Sequence, residues 1–293
     1  MTISIQNHQI TGQLSGKNIE QDPCAGKDSG IFTSGCPDTL VIHFTAGSTM
    51  ASAVNTLKDP DVEASAHLVI DRDGSVKQLV NFDRIAWHAG RCRWNGRTNL
   101  NHYSIGIELV NAGCLTRSGS QYLSWFGKRY DEDEVIEAVH RNQSTPTFWH
   151  IYTQEQIEAC FEVCRTLKKN YPIEMILGHE EIAPKRKTDP GPAFPLDRLR
   201  DQILTGRSEA SQQQSVAPAG TPTGPDNSNH TTATVTASQL NFRQQPHQGA
   251  LMAGEPLPMG ERVEVLERSG VWRKVRVHQD GWVHGDYIHQ ETD

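Results

Sequence analysis

The stretch from Ser208 to Thr234 does most to limit how this chain can fold. It reads SEASQQQSVAPAGTPTGPDNSNHTTAT, with Val216 its only large aliphatic residue and no aromatic side chain. So little apolar surface cannot offset the conformational entropy lost on ordering, and the segment is expected to be a flexible linker. A coil of this length separates its ends by roughly 30 Å. Residues 1–207 and 235–293 must then fold as two bodies with separate cores. Across the 293 residues, 36% are hydrophobic and 22% charged, which is enough apolar material for both.

The formal net charge of -7 argues against a partner bound by phosphate neutralisation, so no nucleic-acid partner is expected. No apolar run approaches the ~18 to 20 residues that span a bilayer, so no membrane span is expected. The opening residues MTISIQNHQITGQLSG carry neither a basic n-region nor a continuous apolar h-region, so no cleavable secretory signal is expected. Two placements follow, the cytoplasm or export by a route without a signal peptide. Six cysteines are present and none forms a C-x-x-C pair. Cys160 and Cys164 fall on one helical face and read as small buried apolar residues. Cys24 with Cys36 is the one disulfide pairing the spacing suggests.

Before the linker, strands and helices alternate. DTLVIHF (38–44) suits a central strand, and SAHLVI, DRDG and SVKQLV read as strand, turn, strand. In YSIGIELV (103–110), Ile105, Ile107 and Leu109 point one way and Gly106, Glu108 and Val110 the other. Residues 153–169 place Ile157, Phe161, Cys164 and Leu167 on one helical stripe. The class is α/β, a mixed central sheet flanked by helices. After the linker, ERVEVLE, VWRKVRV and GWVHGDYI alternate like short strands with Gly turns, which predicts a small β-barrel.

The chemistry concentrates in GHEEIAPKRKTDPGPAFP (178–195). Pro184, Pro190, Pro192 and Pro195 exclude both a helix interior and a central strand, so this is a stiff loop suited to holding side chains still. It carries His179 and Asp189, and His43 sits inside the apolar strand VIHFTAG. A lone histidine in such a strand is usually a satisfied core residue. Two histidines and one carboxylate, however, form the three-ligand set of a catalytic zinc site that keeps a fourth position open. The ligands lie too far apart in sequence for spacing to prove the site. Glu108 is a carboxylate among apolar strand neighbours, costly unless paired with a cation or used as a general base. Lys187 is either a solvated loop lysine or a fixed cation placed to stabilise an oxyanion.

VIHFTAG, SAHLVI-RDG, AWHAG, SIGIELVNAG and GHEEIAPKRKTDPGPAFP, in that order, closely resemble the zinc-dependent N-acetylmuramoyl-L-alanine amidases. That amidase family includes the muropeptide-recycling amidase, phage lysozyme-type amidases and the peptidoglycan recognition proteins. The resemblance covers residues 38–204 and implies the peptidoglycan-recognition/amidase fold. It implies Zn2+ held by His43, His179 and Asp189, catalysis by Glu108 and Lys187, and cleavage between the muramic acid lactyl group and L-alanine. Every catalytic position of the family is present. The segment AWHAGRCRWNGRTNLN resembles the family's groove wall, which makes Trp87, His88 and Arg97 candidates for substrate binding. The bland alternatives are a core Trp87 and a solvated Arg97.

Residues 115–152 look longer than the corresponding part of compact family members, and are read as a lid or an extra groove wall. They carry Trp125, Trp149 and the acidic run Asp131 to Glu134, itself read as a solvated face or a helix start. ASQLNFRQQP, PMGERVEVLERSGVWRKVRV and DGWVHGDYI resemble a bacterial SH3-like domain, which implies a cell-wall-binding module with Trp272 and Trp282 in the barrel core or rim. The expected partners are therefore peptidoglycan or muropeptides. An effector exported to the wall compartment would further call for an immunity or inhibitor protein. A wall-binding module favours intact murein and signal-less export over cytoplasmic recycling of soluble muropeptides. The competing readings are a non-catalytic murein-binding receptor and a zinc peptidase cutting within the stem peptide.

Overall fold

The computed structural model describes residues 2–204, apart from Ser15 and Ser120, and segments between 231 and 290. The chain separates into two compact units, Met1–Leu196 and Asp197–Asp293. The first unit is built on a six-stranded mixed sheet. Its centre is Ser104–Leu109, parallel to Thr39–Phe44 on one side and to Leu68–Ile70 on the other. Met175–Gly178 extends the sheet in parallel beyond Thr39–Phe44. Val76–Gln78 turns back antiparallel to Leu68–Ile70, and Glu20–Gln21 closes the far edge.

These strands form where the chain is apolar without interruption. Leu40, Val41, Ile42, Ile105, Ile107 and Leu109 are all fully buried, as expected for parallel strands covered on both faces. The expected helix is present as Gln154–Asn170, with the Thr153 side chain capping Gln156 N. Cys160 and Cys164 are buried on it as read from sequence. Gln156 pins this helix to the sheet by donating to Ile70 O and Val110 O at 3.0 and 3.1 Å. The strand order sets the site. The C-terminal ends of three parallel strands bring residues 43, 108 and 178 to the same side of the sheet.

Two elements go beyond the sequence expectations. Residues 2–18 form a three-stranded antiparallel sheet, tied to the central one by the Gln78 side chain, which accepts from Ile10 N at 2.7 Å. Residues 114–150 form a five-stranded antiparallel sheet of their own, around Leu115, Tyr122, Tyr130 and Val135. The acidic run is a helix start, the short 3-10 turn Glu132–Glu134 capped by Asp131. The suggested Cys24–Cys36 disulfide is absent, as both thiols are free.

The second unit contains a five-stranded antiparallel sheet and a two-stranded pair, with Val235, Leu240, Phe242, Val263, Val265 and Val275 in its core. Trp272 is buried, and the side chain of Trp282 lies outside the described residues. The strand Thr231–Val235 starts inside the stretch assigned to the linker, and residues 208–230 lie outside the described residues.

Candidate metal centre

His43 occupies the last buried position of its strand, in register with Glu108 on the neighbouring one. His179 begins a short helical turn, His179–Ile182, directly after the strand Met175–Gly178. Asp189 lies ten residues on, in the proline-rich loop. The fold brings the three together. His43 Nδ1 and His179 Nδ1 are 2.8 Å apart, and each is 3.0 Å from Asp189 Oδ2. All three residues are buried.

The outer nitrogens of the two imidazoles decide what the inner ones can do. His179 Nε2 lies 3.0 Å from Ala89 O, and a carbonyl can only accept, so Nε2 carries the proton. The His43 side runs through one more ring. His88 Nε2 donates to Ser104 O at 3.2 Å, which leaves His88 Nδ1 to accept from His43 Nε2 at 3.0 Å. Burial first, then the neighbouring histidines, push His88 well below its ordinary pKa and keep it neutral. Burial and the adjacent His179 likewise lower His43 to about 4. Both inner Nδ1 atoms therefore present lone pairs to a carboxylate. Three acceptors at this spacing suit a shared cation, and two neutral imidazoles with one carboxylate are the donor set of a zinc centre. Burial alone would raise the Asp189 carboxyl, but the two imidazoles outweigh it and hold it below the usual carboxylate range.

Glu108 stands beside this set. Its Oε2 is buried with no hydrogen-bond partner. Burial, reinforced by the nearby Asp189 charge, raises its pKa to about 8, while the Lys187 charge lowers it. An orphaned buried carboxyl oxygen next to three convergent ligands is what a site awaiting a cation and a water contains. Lys187 is half-buried in the loop, and its charge reaches both Glu108 and His43.

The groove candidates separate. His88 does not line a cleft. It is buried behind His43, and a Cβ added at Gly106 would lie 2.3 Å from His88 Cγ, so only glycine admits this ring. Arg97 is part-exposed, its Nη1 meets both Asp38 oxygens at 2.9 and 2.8 Å, and its guanidinium lies over the Tyr103 ring. Trp87 is half-buried and donates to Ser29 Oγ at 2.7 Å. His67, from the SAHLVI motif, is a satisfied core histidine. It accepts from Gly106 N and donates to Arg84 O.

Sequence reasoning missed the support of the loop. Glu180, next to His179, is buried, and its Oε2 accepts from His140 Nε2 at 2.6 Å and from Gly191 N at 3.0 Å. Its Oε1 pairs with Arg141 Nε at 3.0 Å, and its own N–H donates to Asp189 O at 2.7 Å. One carboxylate thus ties the neighbours of both loop ligands to the sheet of residues 114–150. Gly191 has a positive φ of 74° and approaches Trp149 so closely that a Cβ there would lie 2.9 Å from the indole. The only signal in sequence was a second acid beside a ligand histidine.

With this geometry in place, the likeness to known proteins is informative. Residues 33–192, more than half of the chain, match the N-acetylmuramoyl-L-alanine amidase family. The chain belongs to that amidase family. The 1,6-anhydro-N-acetylmuramyl-L-alanine amidase AmpD of Salmonella typhimurium is 37% identical over 141 residues, 47% of this chain and 57% of that protein. The N-acetylmuramoyl-L-alanine amidase AmiD of Escherichia coli is 32% identical over 182 residues, 59% of this chain and 55% of that protein. These named relatives are amidases, and hence hydrolases. The chain spans less than two thirds of the length of either. Among solved structures, a selenomethionine AmpD derivative is 27% identical with a TM-score of 0.46, covering 63% of this chain and 94% of that one. AmiD from E. coli, in complex with anhydro-N-acetylmuramic acid-L-Ala-D-γ-Glu-L-Lys, is 28% identical with a TM-score of 0.43, covering 68% of this chain and 65% of that one.

Proposed function

We propose that this protein is a zinc amidase that hydrolyses the amide joining N-acetylmuramic acid to L-alanine in peptidoglycan. The observation that carries the reading is the convergence of His43 Nδ1, His179 Nδ1 and Asp189 Oδ2 beside the unpartnered Glu108 carboxyl. Zinc, when held by those three residues, supplies a Lewis acid that polarises a carbonyl and acidifies a water. Glu108 takes the proton from the attacking water and returns it to the departing amine of L-alanine, so the C–N bond breaks to give a carboxylate and a free stem peptide. The cation raises no proton demand on His43 or His179, whose outer nitrogens already hold the protons. The Lys187 ammonium faces the charge that develops on the carbonyl oxygen.

The likeness of the second unit to bacterial SH3-like domains supports a module that holds the enzyme on the wall and raises its local concentration there. That favours intact murein as substrate and the wall compartment as the place of action. Among the described residues, no helix is long and apolar enough to cross a membrane. The deciding experiment is mass spectrometry of products from purified murein and from a soluble anhydro-muropeptide, with and without a chelator. Stem peptides beginning with L-alanine, lost on chelation, are expected. Fragments cut inside the peptide would indicate a zinc peptidase, and intact substrate on a zinc-loaded protein would indicate a receptor.

A further inference from the structure

The segment of residues 114–150 contacts the chain close to His43, Glu108, His179 and Asp189. Trp125 Nε1 donates to Ala46 O at 2.8 Å, three residues after His43. Asn111, three residues after Glu108, donates to His150 O and Ile151 O at 3.0 and 3.1 Å. Glu180, next to His179, is held by His140 and Arg141, and Gly191, two residues after Asp189, lies against Trp149. So many anchors make this sheet a fixed wall beside the candidate ligands.

On that wall one side chain is out of place. Trp125 is 77% exposed, the most exposed large hydrophobic among the described residues. It is nevertheless not loose. Its N–H is bound to Ala46 O, and its edge meets Phe126 at 5.6 Å and 88°. Phe126 packs in turn on the core of the inserted sheet. The indole is therefore fixed at one edge with its ring open to solvent. Three residues separate Ala46 from His43, which places the two backbones within about 11 Å of each other.

We propose that Trp125 is a carbohydrate platform, on which an N-acetylhexosamine ring of the glycan strand stacks while the peptide amide lies at the metal centre. Because the N–H is already used, the indole offers only its ring, and the negative π-face attracts the polarised C–H groups of a pyranose. The same face disfavours the carboxylates of a stem peptide. The sheet thus adds a glycan subsite to the amidase, and this assignment rests on the amidase reading above.

The test measures two quantities on the wild type, Trp125→Ala and Trp125→Phe, with circular dichroism confirming that each variant folds. The first is binding of a peptide-free N-acetylhexosamine oligosaccharide, followed by isothermal titration calorimetry. The second is kcat/KM on murein and on an N-lactoyl stem peptide, which keeps the scissile amide and lacks the sugar. Trp125→Ala is expected to weaken oligosaccharide binding and raise KM on murein by about ten-fold, the scale of a stacking contact. Cleavage of the lactoyl peptide should stay within two-fold of wild type, and Trp125→Phe should recover most of the loss. Unchanged oligosaccharide binding in Trp125→Ala, or an equal loss on both cleavable substrates, would overturn the platform. Wild-type oligosaccharide binding that depends on Trp125, without turnover of either substrate, would uphold the subsite and defeat the amidase reading instead.

Discussion

The candidate metal centre is half strand and half loop, and the two halves are held in place by different means. His43 and Glu108 sit on adjacent parallel strands, in register, among fully buried neighbours. Backbone ladders set their positions, and outside the site itself the His88 ring supports His43 from behind. His179 and Asp189 sit on a loop whose prolines cannot join a ladder. Their positions depend on a buried carboxylate at 180 and its grip on residues 140, 141 and 191. A ligand on a strand inherits rigidity from the fold, whereas a ligand on a loop needs a dedicated clamp.

Four variants put that contrast under strain. The largest effect is expected from Glu108→Gln, which removes the general base from the strand half. Turnover should fall by roughly 10²–10⁴-fold, while zinc content measured by atomic absorption stays at wild-type stoichiometry. Retained turnover would remove Glu108 from the mechanism. In the loop half, Glu180→Ala leaves His140 and Arg141 facing a void. Zinc affinity, read by competition with a chromophoric chelator, should drop about 10–100-fold, as for other groups that orient ligands. The double variant His140→Ala/Arg141→Ala touches neither ligand and should reproduce the direction of that loss. A wild-type zinc affinity in a folded double variant would show that the loop holds itself.

Gly106→Ala tests the strand half from behind. The new methyl meets His88, so a destabilisation of about 1–3 kcal/mol is expected in urea unfolding, accompanied by weaker zinc binding. The most gradual effect is a pH dependence of the metal-free protein. Glu108 has its pKa raised to about 8, so between the ordinary carboxylate value of 4.5 and about 8 the folded state holds a proton that the unfolded state has lost. Stability should then fall as pH rises through that window, by at most about 1.4 kcal/mol per pH unit. Glu108→Gln should flatten the slope, and an unchanged slope would mean that another group carries it.

Much of the strand half was legible in the sequence. DTLVIHF and YSIGIELV announce buried strands by their apolar runs, and a histidine and a glutamate within them are conspicuous. The prolines around His179 and Asp189 marked a stiff loop. What stiffens it was hidden, because Glu180 acquires its meaning only from His140 and Arg141, some forty positions earlier. His88 was misplaced for a related reason. A histidine after a tryptophan looks like a groove residue until Gly106 is seen to make room for it behind His43. Arg97 pairs with Asp38, a partner 59 positions earlier that its own segment does not announce. Pairings between distant segments follow from topology, which local pattern does not encode.

The Glu180 clamp also constrains how such a chain can change over generations. Replacing residues 114–150 by a short connection would strip the Glu180 carboxylate of its Arg141 ion pair and its His140 hydrogen bond, a loss on the order of several kcal/mol if it stayed buried. Losing the acid first would instead leave a histidine and an arginine turned toward an empty slot. The inserted sheet and the residue after His179 are energetically coupled, so a change in either one is expected to be tolerated best when the other changes with it.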